Sequence, residues 1–181
     1  MKLVKYSDRM AGFVKGSMAF LLSALVLVLA SVATAAGPDS HGVMTVPRLI
    51  TGVMDGRFTF EQWGTEWWEI DTLGDVEGAL RHLGLAHMYT RHTPNLDGTL
   101  SNGEFAIVAA NGDEIRGTYT GSGEYISESE VLGTATFLIE EGTGRFDGAS
   151  GTINAAFLET LDDPTWASAQ VSWTLAGMVS Y

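Results

Sequence analysis

Ala167-Ser-Ala-Gln-Val-Ser-Trp-Thr-Leu-Ala-Gly-Met-Val-Ser-Tyr181 reads as two interleaved patterns. Ala167, Ala169, Val171, Trp173, Leu175, Val179 and Tyr181 fall on one parity; Ser168, Gln170, Ser172, Thr174 and Ser180 fall on the other. Successive side chains of a strand point to opposite faces, so the stretch predicts one long strand with an apolar and a polar side. The rhythm recurs upstream. Phe105, Ile107 and Ala109 share a parity, as do Ile115 and Tyr119, then Ala135, Phe137 and Ile139, then Ile153, Ala155 and Phe157. Phe58 and Phe60 start the series, a short strand is expected through Trp67 to Ile70, and a long one from Ala79 to His92. With Gly-rich turns and no amphipathic helix, the expected fold is all-β, an antiparallel closed barrel of about eight strands. Strand length favours a barrel over a sandwich.

The Asn111-Gly112 step marks a hairpin. A two-residue loop would set Ile107 opposite Arg116 and mix the faces. A bulged three-residue loop, Asn111-Gly112-Asp113, pairs Ala109 with Ile115, Ile107 with Gly117 and Phe105 with Tyr119. The longer loop is expected, because a one-residue slip sends every side chain to the wrong face.

Charge is unevenly placed along the 181 residues. Lys2, Lys5, Arg9 and Lys15 lead an uncharged apolar run from Met18 to Val32, followed by Ala33-Thr34-Ala35. A basic start, apolar middle and small-x-small end define a secretory signal peptide over 1–35, with the cut after Ala35. An uncleaved anchor is the competing reading, since the run nearly reaches the roughly 20 residues a bilayer requires. Residues 36–55, broken by Gly37, Pro38, Gly42, Pro47 and Gly52, are expected to form an extended lead-in. A single barrel domain then occupies 56–181. Downstream of residue 35 the chain holds six arginines, no lysine and 21 acidic residues, a net charge of −15. Such a body repels phosphate backbones and anionic lipid, which excludes nucleic-acid binding and, once the leader is removed, membrane attachment. With no Cys in the chain, disulfides, thiolate metal sites and Cys nucleophiles are excluded. The absence of Lys from the same region excludes Schiff-base chemistry.

Ala135-Thr-Phe-Leu-Ile-Glu-Glu-Gly-Thr-Gly-Arg-Phe-Asp-Gly-Ala-Ser-Gly151 resembles the strand–turn–strand signature of the allene oxide cyclase and dirigent-like barrels. Gly142-Thr143-Gly144-Arg145-Phe146 fills the turn, and Ala149 and Gly151 fill the small positions that follow. Val108 to Asp113 resembles the hairpin of secreted bacterial relatives, and the resemblance extends over roughly residues 78–181. It implies a barrel that shapes a substrate for isomerisation or cyclisation. Cyclase chemistry in that superfamily involves a Cys and a Glu; this chain has no Cys, and no catalytic residue carries over. Read on its own, the turn is a structural corner. Gly142 and Gly144 permit positive φ, Phe146 tucks under the barrel end, and Arg145 caps carbonyls or pairs with Glu140 or Glu141.

Other constellations have plain readings. His82, His87 and His92 are expected at the surface or a barrel end: His82 and His92 share a face of one strand but stand about 33 Å apart, too far to chelate one metal. Three tryptophans lie within Glu61 to Glu69; Trp67 and Trp68 are expected on opposite faces, with Trp63 exposed. Asp97 and Asn102 fit turn chemistry better than a calcium loop. The chain contains no Gly-x-Ser-x-Gly elbow, and no metal or cofactor is called for.

The leading expectation is a secreted or periplasmic barrel that binds a small, largely apolar molecule on the face carrying Phe105, Tyr119, Phe137, Phe157 and Trp173. The alternatives are a cofactor-free isomerase or cyclase, and an assembly barrel that joins copies through an exposed apolar face. N-terminal sequencing of the exported protein should begin at Ala36; a chain still starting at Met1 would establish the uncleaved anchor instead.

Overall fold

The computed structural model describes residues 46–66, 69–162 and 167–181. The expected leader and cleavage site, the lead-in as far as residue 45, and Trp67 and Trp68 lie outside the described residues. Eight strands follow one another: β1 (Pro47–Gln62), β2 (Ile70–Leu80), β3 (Gly84–Pro94), β4 (Thr99–Ala109), β5 (Glu114–Tyr125), β6 (Glu130–Gly142), β7 (Ser150–Leu161) and β8 (Ser168–Ser180). One helical turn, Gly144–Phe146, joins β6 to β7. Each strand pairs antiparallel with the next, and β8 pairs with β1 to close the barrel. Residues 47–59 of β1 pair with β8 while residues 52–62 pair with β2, the stagger that tilted strands require for closure.

The alternation holds along most of each strand, breaking near the ends where Asp71 and Thr72 of β2 are both buried and where the β4–β5 register shifts, and its apolar parity is the inward one. Ala169, Val171, Trp173, Leu175 and Val179 of β8 are buried, as are Phe105, Ile107 and Ala109 of β4 and Ala135, Phe137 and Ile139 of β6. Large inward rings lie opposite inward glycines on neighbouring strands. Phe58 registers with Gly74, Phe105 with Gly117, Tyr119 with Gly103 and Phe157 with Gly133. The fit is tight: a Cβ on Gly133 would lie 2.2 Å from the Phe157 ring, and one on Gly103 would lie 2.9 Å from the Tyr119 ring.

Three sequence expectations change. The stretch 79–92 is not one strand, because β2 ends at Leu80 and a tight turn through Arg81, His82 and Leu83 opens β3 at Gly84. His82 and Gly84 take positive φ there, 70° and 81°. The Asn111-Gly112 hairpin keeps the expected faces but slides by one residue on each side. Ala109 donates its N–H to the Asp113 carbonyl, so the three-residue loop is Ala110-Asn111-Gly112, and Ile107 faces Ile115. That register places Phe105 and Tyr119 each against a glycine, whereas the expected pairing would have crowded the two rings together. Finally, β1 begins at Pro47, inside the stretch read as a lead-in; Gly52 is an inward position of a strand rather than a break.

The corner after β6 caps one barrel end. Phe146 is fully buried, edge-on to Tyr181 at 4.8 Å between ring centroids. Arg145 lies over the Phe146 ring and donates to the Leu83 carbonyl at 2.8 Å, the carbonyl-capping role. Its charge pairs with Asp113 at 3.8 Å rather than with Glu140 or Glu141. Gly144 has the positive φ, 56°; Gly142 does not and instead supplies room, since its Cβ would lie 2.1 Å from the Phe146 carbonyl oxygen.

Because the ring contacts leave no room at Gly133, Gly133→Ala should cost about 1–3 kcal/mol by overpacking. Urea unfolding should show a lowered midpoint that Phe157→Leu partly restores in the double variant. An unchanged midpoint in Gly133→Ala would mean that the Phe157 ring swings clear and the match is loose.

Candidate functional site

The inward rings at the waist form a closed circuit. Centroid distances run Phe58–His92 5.9 Å, His92–Tyr119 5.8 Å, Tyr119–Phe137 4.8 Å, Phe137–Trp173 5.5 Å and Trp173–Phe58 6.1 Å. Phe157 adds to Trp173 at 4.7 Å and Phe105 to Phe137 at 5.0 Å. The five aromatics expected to hold a ligand are thus brought together, but against one another. Each is at most 5% exposed.

Above the circuit lies the barrel mouth, the end carrying the connections β1–β2, β3–β4, β5–β6 and β7–β8. Irregularities shape it. The β3–β4 register shifts between Arg91 and Thr93, the β4–β5 register shifts between Leu100 and Gly103, and Asn102 takes a φ of 53°. A cavity of about 360 Å³ opens there, lined by Trp63, Asp71, Arg91, His92, Thr93, Asn102 and Glu104. Trp63 is exposed, as its sequence context suggests. Asp97 serves the adjoining turn, accepting from the Thr99 N–H at 3.0 Å and from its hydroxyl at 2.6 Å.

His92 lies at a barrel end, one of the two expected positions, but points inward and is buried rather than exposed. Five residues from the outward His87, it has the opposite parity and is 5% exposed inside the barrel. Its Nδ1 lies 2.6 Å from the Tyr119 hydroxyl. Burial drives the His92 pKa down to about 4, against a smaller opposing pull from Asp71. Burial likewise pushes the Tyr119 pKa above its ordinary value, tempered by the nearby Thr90. At neutral pH the imidazole is therefore uncharged and the phenol protonated. Nδ1 and the Tyr119 hydroxyl share one hydrogen bond; in the tautomer in which the hydroxyl donates, the ring proton sits on Nε2 and makes that nitrogen a donor.

Asp71 fixes the wall beside His92. Burial alone would raise its pKa, but two Arg91 N–H bonds at 2.6 and 3.0 Å, the Thr93 hydroxyl at 2.8 Å and the Arg91 charge outweigh that and hold it below its ordinary value. The wall therefore presents a locked carboxylate and a cation with donors to spare. Among the described residues no His, Asp and Glu group has the arrangement of a metal site.

Across the lumen, Glu159 shares the inward parity of Ile153, Ala155, Phe157 and Leu161 and registers between Val131 and Val171. Burial raises its pKa to about 7, and no charged group opposes the shift. The sequence pattern alone does not single out Asp71, Arg91 or Glu159, and it gives His92 no role in a site. Parity does mark Glu159 as inward: it is the acid in an otherwise apolar inward series.

Fold and site together define an eight-stranded antiparallel barrel with a polar mouth above an aromatic interior. Comparison with protein families, with curated proteins and with solved structures finds no match to this chain.

The two buried groups pull stability in opposite directions. The folded Glu159 keeps its proton between pH 4.5 and about 7 while the unfolded chain ionises, so its contribution is full at low pH and is lost as pH rises. His92 is neutral in the fold between about pH 4 and 6.5 while the unfolded chain protonates, so its contribution is lost as pH falls. The slopes cancel between about pH 4.5 and 6.5, giving a plateau from these two groups. Glu159→Gln should turn that plateau into a rise with pH and stabilise the protein at pH 8 by on the order of 2 kcal/mol. Denaturation midpoints measured from pH 4 to 8 check this; parallel profiles for parent and variant would place the Glu159 carboxyl in water.

Proposed function

We propose that the protein is an exported barrel that binds a small, largely apolar molecule carrying a hydrogen-bond acceptor. The ligand enters at the mouth, lays its apolar part against Trp63 and sets its acceptor on the Nε2–H of His92. The observation that carries the reading is a buried, uncharged His92, oriented by Tyr119, facing a cavity of about 360 Å³. That volume suits a compact ligand, at the small end of the usual range of about 300–1,000 Å³. The waist aromatics then form the floor on which the ligand rests. Export rests on the leader 1–35, which also implies a secreted or periplasmic location.

The second reading is a cofactor-free isomerase or cyclase. The same pair favours it: an imidazole N–H that polarises a carbonyl, backed by a phenol that steadies the ring, is an arrangement for acid–base chemistry. Kinship with the allene oxide cyclase and dirigent-like barrels belongs to this reading. It is supported by the Gly142-Thr-Gly-Arg-Phe146 corner, with a different set of polar residues at the mouth.

Medium-chain ketones tested against the matching alkanes, by thermal shift and tryptophan quenching, separate the readings. Ketones should bind and alkanes bind more weakly. His92→Phe keeps a ring in the circuit but removes the donor, and should weaken ketone binding about tenfold, the value of one hydrogen bond. Equal binding of ketone and alkane, or an unchanged affinity in His92→Phe, would sink the mouth site. Conversion of a bound ketone that Tyr119→Phe abolishes while binding persists would favour the enzyme.

A further inference from the structure

Two rows of outward side chains cross the barrel at its waist. The first runs Arg57, Asp75, Tyr89, Ala106, Arg116, Glu141 from β1 to β6, each residue the registered neighbour of the next. Read backwards, it is its own complement: Arg57 meets Glu141, Asp75 meets Arg116, and bulky Tyr89 meets small Ala106. The second row, Leu73, Arg91, Glu104 and Thr118 on β2–β5, has the same property, with Arg91 meeting Glu104. Both rows line a shallow outer groove of about 1080 Å³.

Alternating charge can instead zip neighbouring strands within one sheet. Within the rows themselves no arginine pairs with a row acid at ion-pair distance. Arg57 turns to Asp162, Arg91 to Asp71 and Arg116 to Glu114 on its own strand. Asp75 has only His87, at 4.0 Å, and among the described residues Glu104 and Glu141 make no ion pair. Asp75 therefore has only a histidine within reach and Glu104 only the longer-range charge of Arg91, while the three arginines stay 51–60% exposed and retain unused N–H donors. Positive and negative residues balance in the two rows, on a body otherwise strongly acidic. In these two rows a copy can approach with opposite charges in register; the next row, Glu77, His87, Val108 and Glu114, would set Glu77 opposite the partner's Glu114, a repulsion that keeps the contact weak.

We propose that two copies of the barrel associate face to face across β2–β5, about a twofold axis parallel to the strands between β3 and β4. That rotation reverses each row onto itself. Asp75 faces the partner's Arg116, Arg91 faces the partner's Glu104, and Tyr89 packs over the partner's Ala106. Curvature splays β1 and β6 away, so Arg57 and the partner's Glu141 add only longer-range attraction. Four strands at about 4.8 Å spacing make a contact about 15 Å wide, small against about 800 Å² per partner in a standard interface. The dimer is accordingly weak, with a dissociation constant of about 10–500 μM.

Sedimentation equilibrium on the purified mature chain, from about 10 μM to 1 mM, tests this. Association should weaken as salt rises from about 0.05 to 0.5 M. Asp75→Arg alone, or Arg116→Asp alone, sets like charges opposite each other and should weaken the dimer at least about tenfold. The double variant should return to within about threefold of the parent. Within one chain the two positions lie three strands apart, about 14 Å, too far to compensate each other, so recovery reports the partner. Both side chains are exposed, 71% and 51%, and thermal midpoints should confirm intact folds. A monomer at every concentration, a dimer that survives the single exchanges, or a double variant that stays dissociated would each overturn the proposal.

Discussion

Everything in this barrel depends on matching inward rings to inward glycines. An eight-stranded barrel has an interior only just wide enough for side chains to fill. Here Phe58, Phe105, Tyr119, Phe137, Phe157 and Trp173 all point into it, with His92 among them. Uniform side chains opposite them would overfill the space. Gly74, Gly103, Gly117 and Gly133 remove a side chain where a ring must lie. The match also bears on register: sliding β4 by two residues against β5 would keep the faces correct yet set Phe105 opposite Tyr119 and take both rings off their glycines.

The ends of the barrel divide the work. At one end Phe146, Tyr181 and Arg145 close the interior. At the other, irregular pairing in β3 and β4 opens the wall and lets outward Arg91 and Glu104 share a cavity with inward His92. A regular ladder would have kept these residues on opposite faces of the sheet. The polar mouth is thus a consequence of local departures from alternation. Asp71 stays charged because Arg91 and Thr93 hold it, whereas His92 and Glu159, held less firmly, give up charge to burial.

The strands that carry apolar side chains on one parity were legible. β4, β6, β7 and β8 announce themselves through Phe105, Phe137, Phe157 and Trp173. β2 was not, since its inward positions include Thr72, Gly74 and Gly78; the Phe58 ring over Gly74 and the Met54 backbone against Gly78 belong to β1. Reading Ala79 to His92 as continuous followed from that silence, and it hid the turn at His82. The site was less legible than the fold. Parity alone marks His92 and Glu159 as inward, but it does not say that Tyr119, 27 positions along, supplies the bond that orients His92. Nor does it show that Asp71 and Arg91 reach the same cavity.

By itself the sequence determined an all-β chain with two-faced strands, a basic N-terminal stretch ahead of an acidic body, and the absence of thiol and, past Lys15, amine chemistry. These follow from local rules: side-chain period, turn residues, and composition. Only the tertiary structure decided that the strands close into a ring, which residues form the mouth, and that the waist aromatics pack on one another. Those outcomes rest on long-range registers. Volume has to balance around the whole barrel, and no stretch of the chain records its neighbour's glycine.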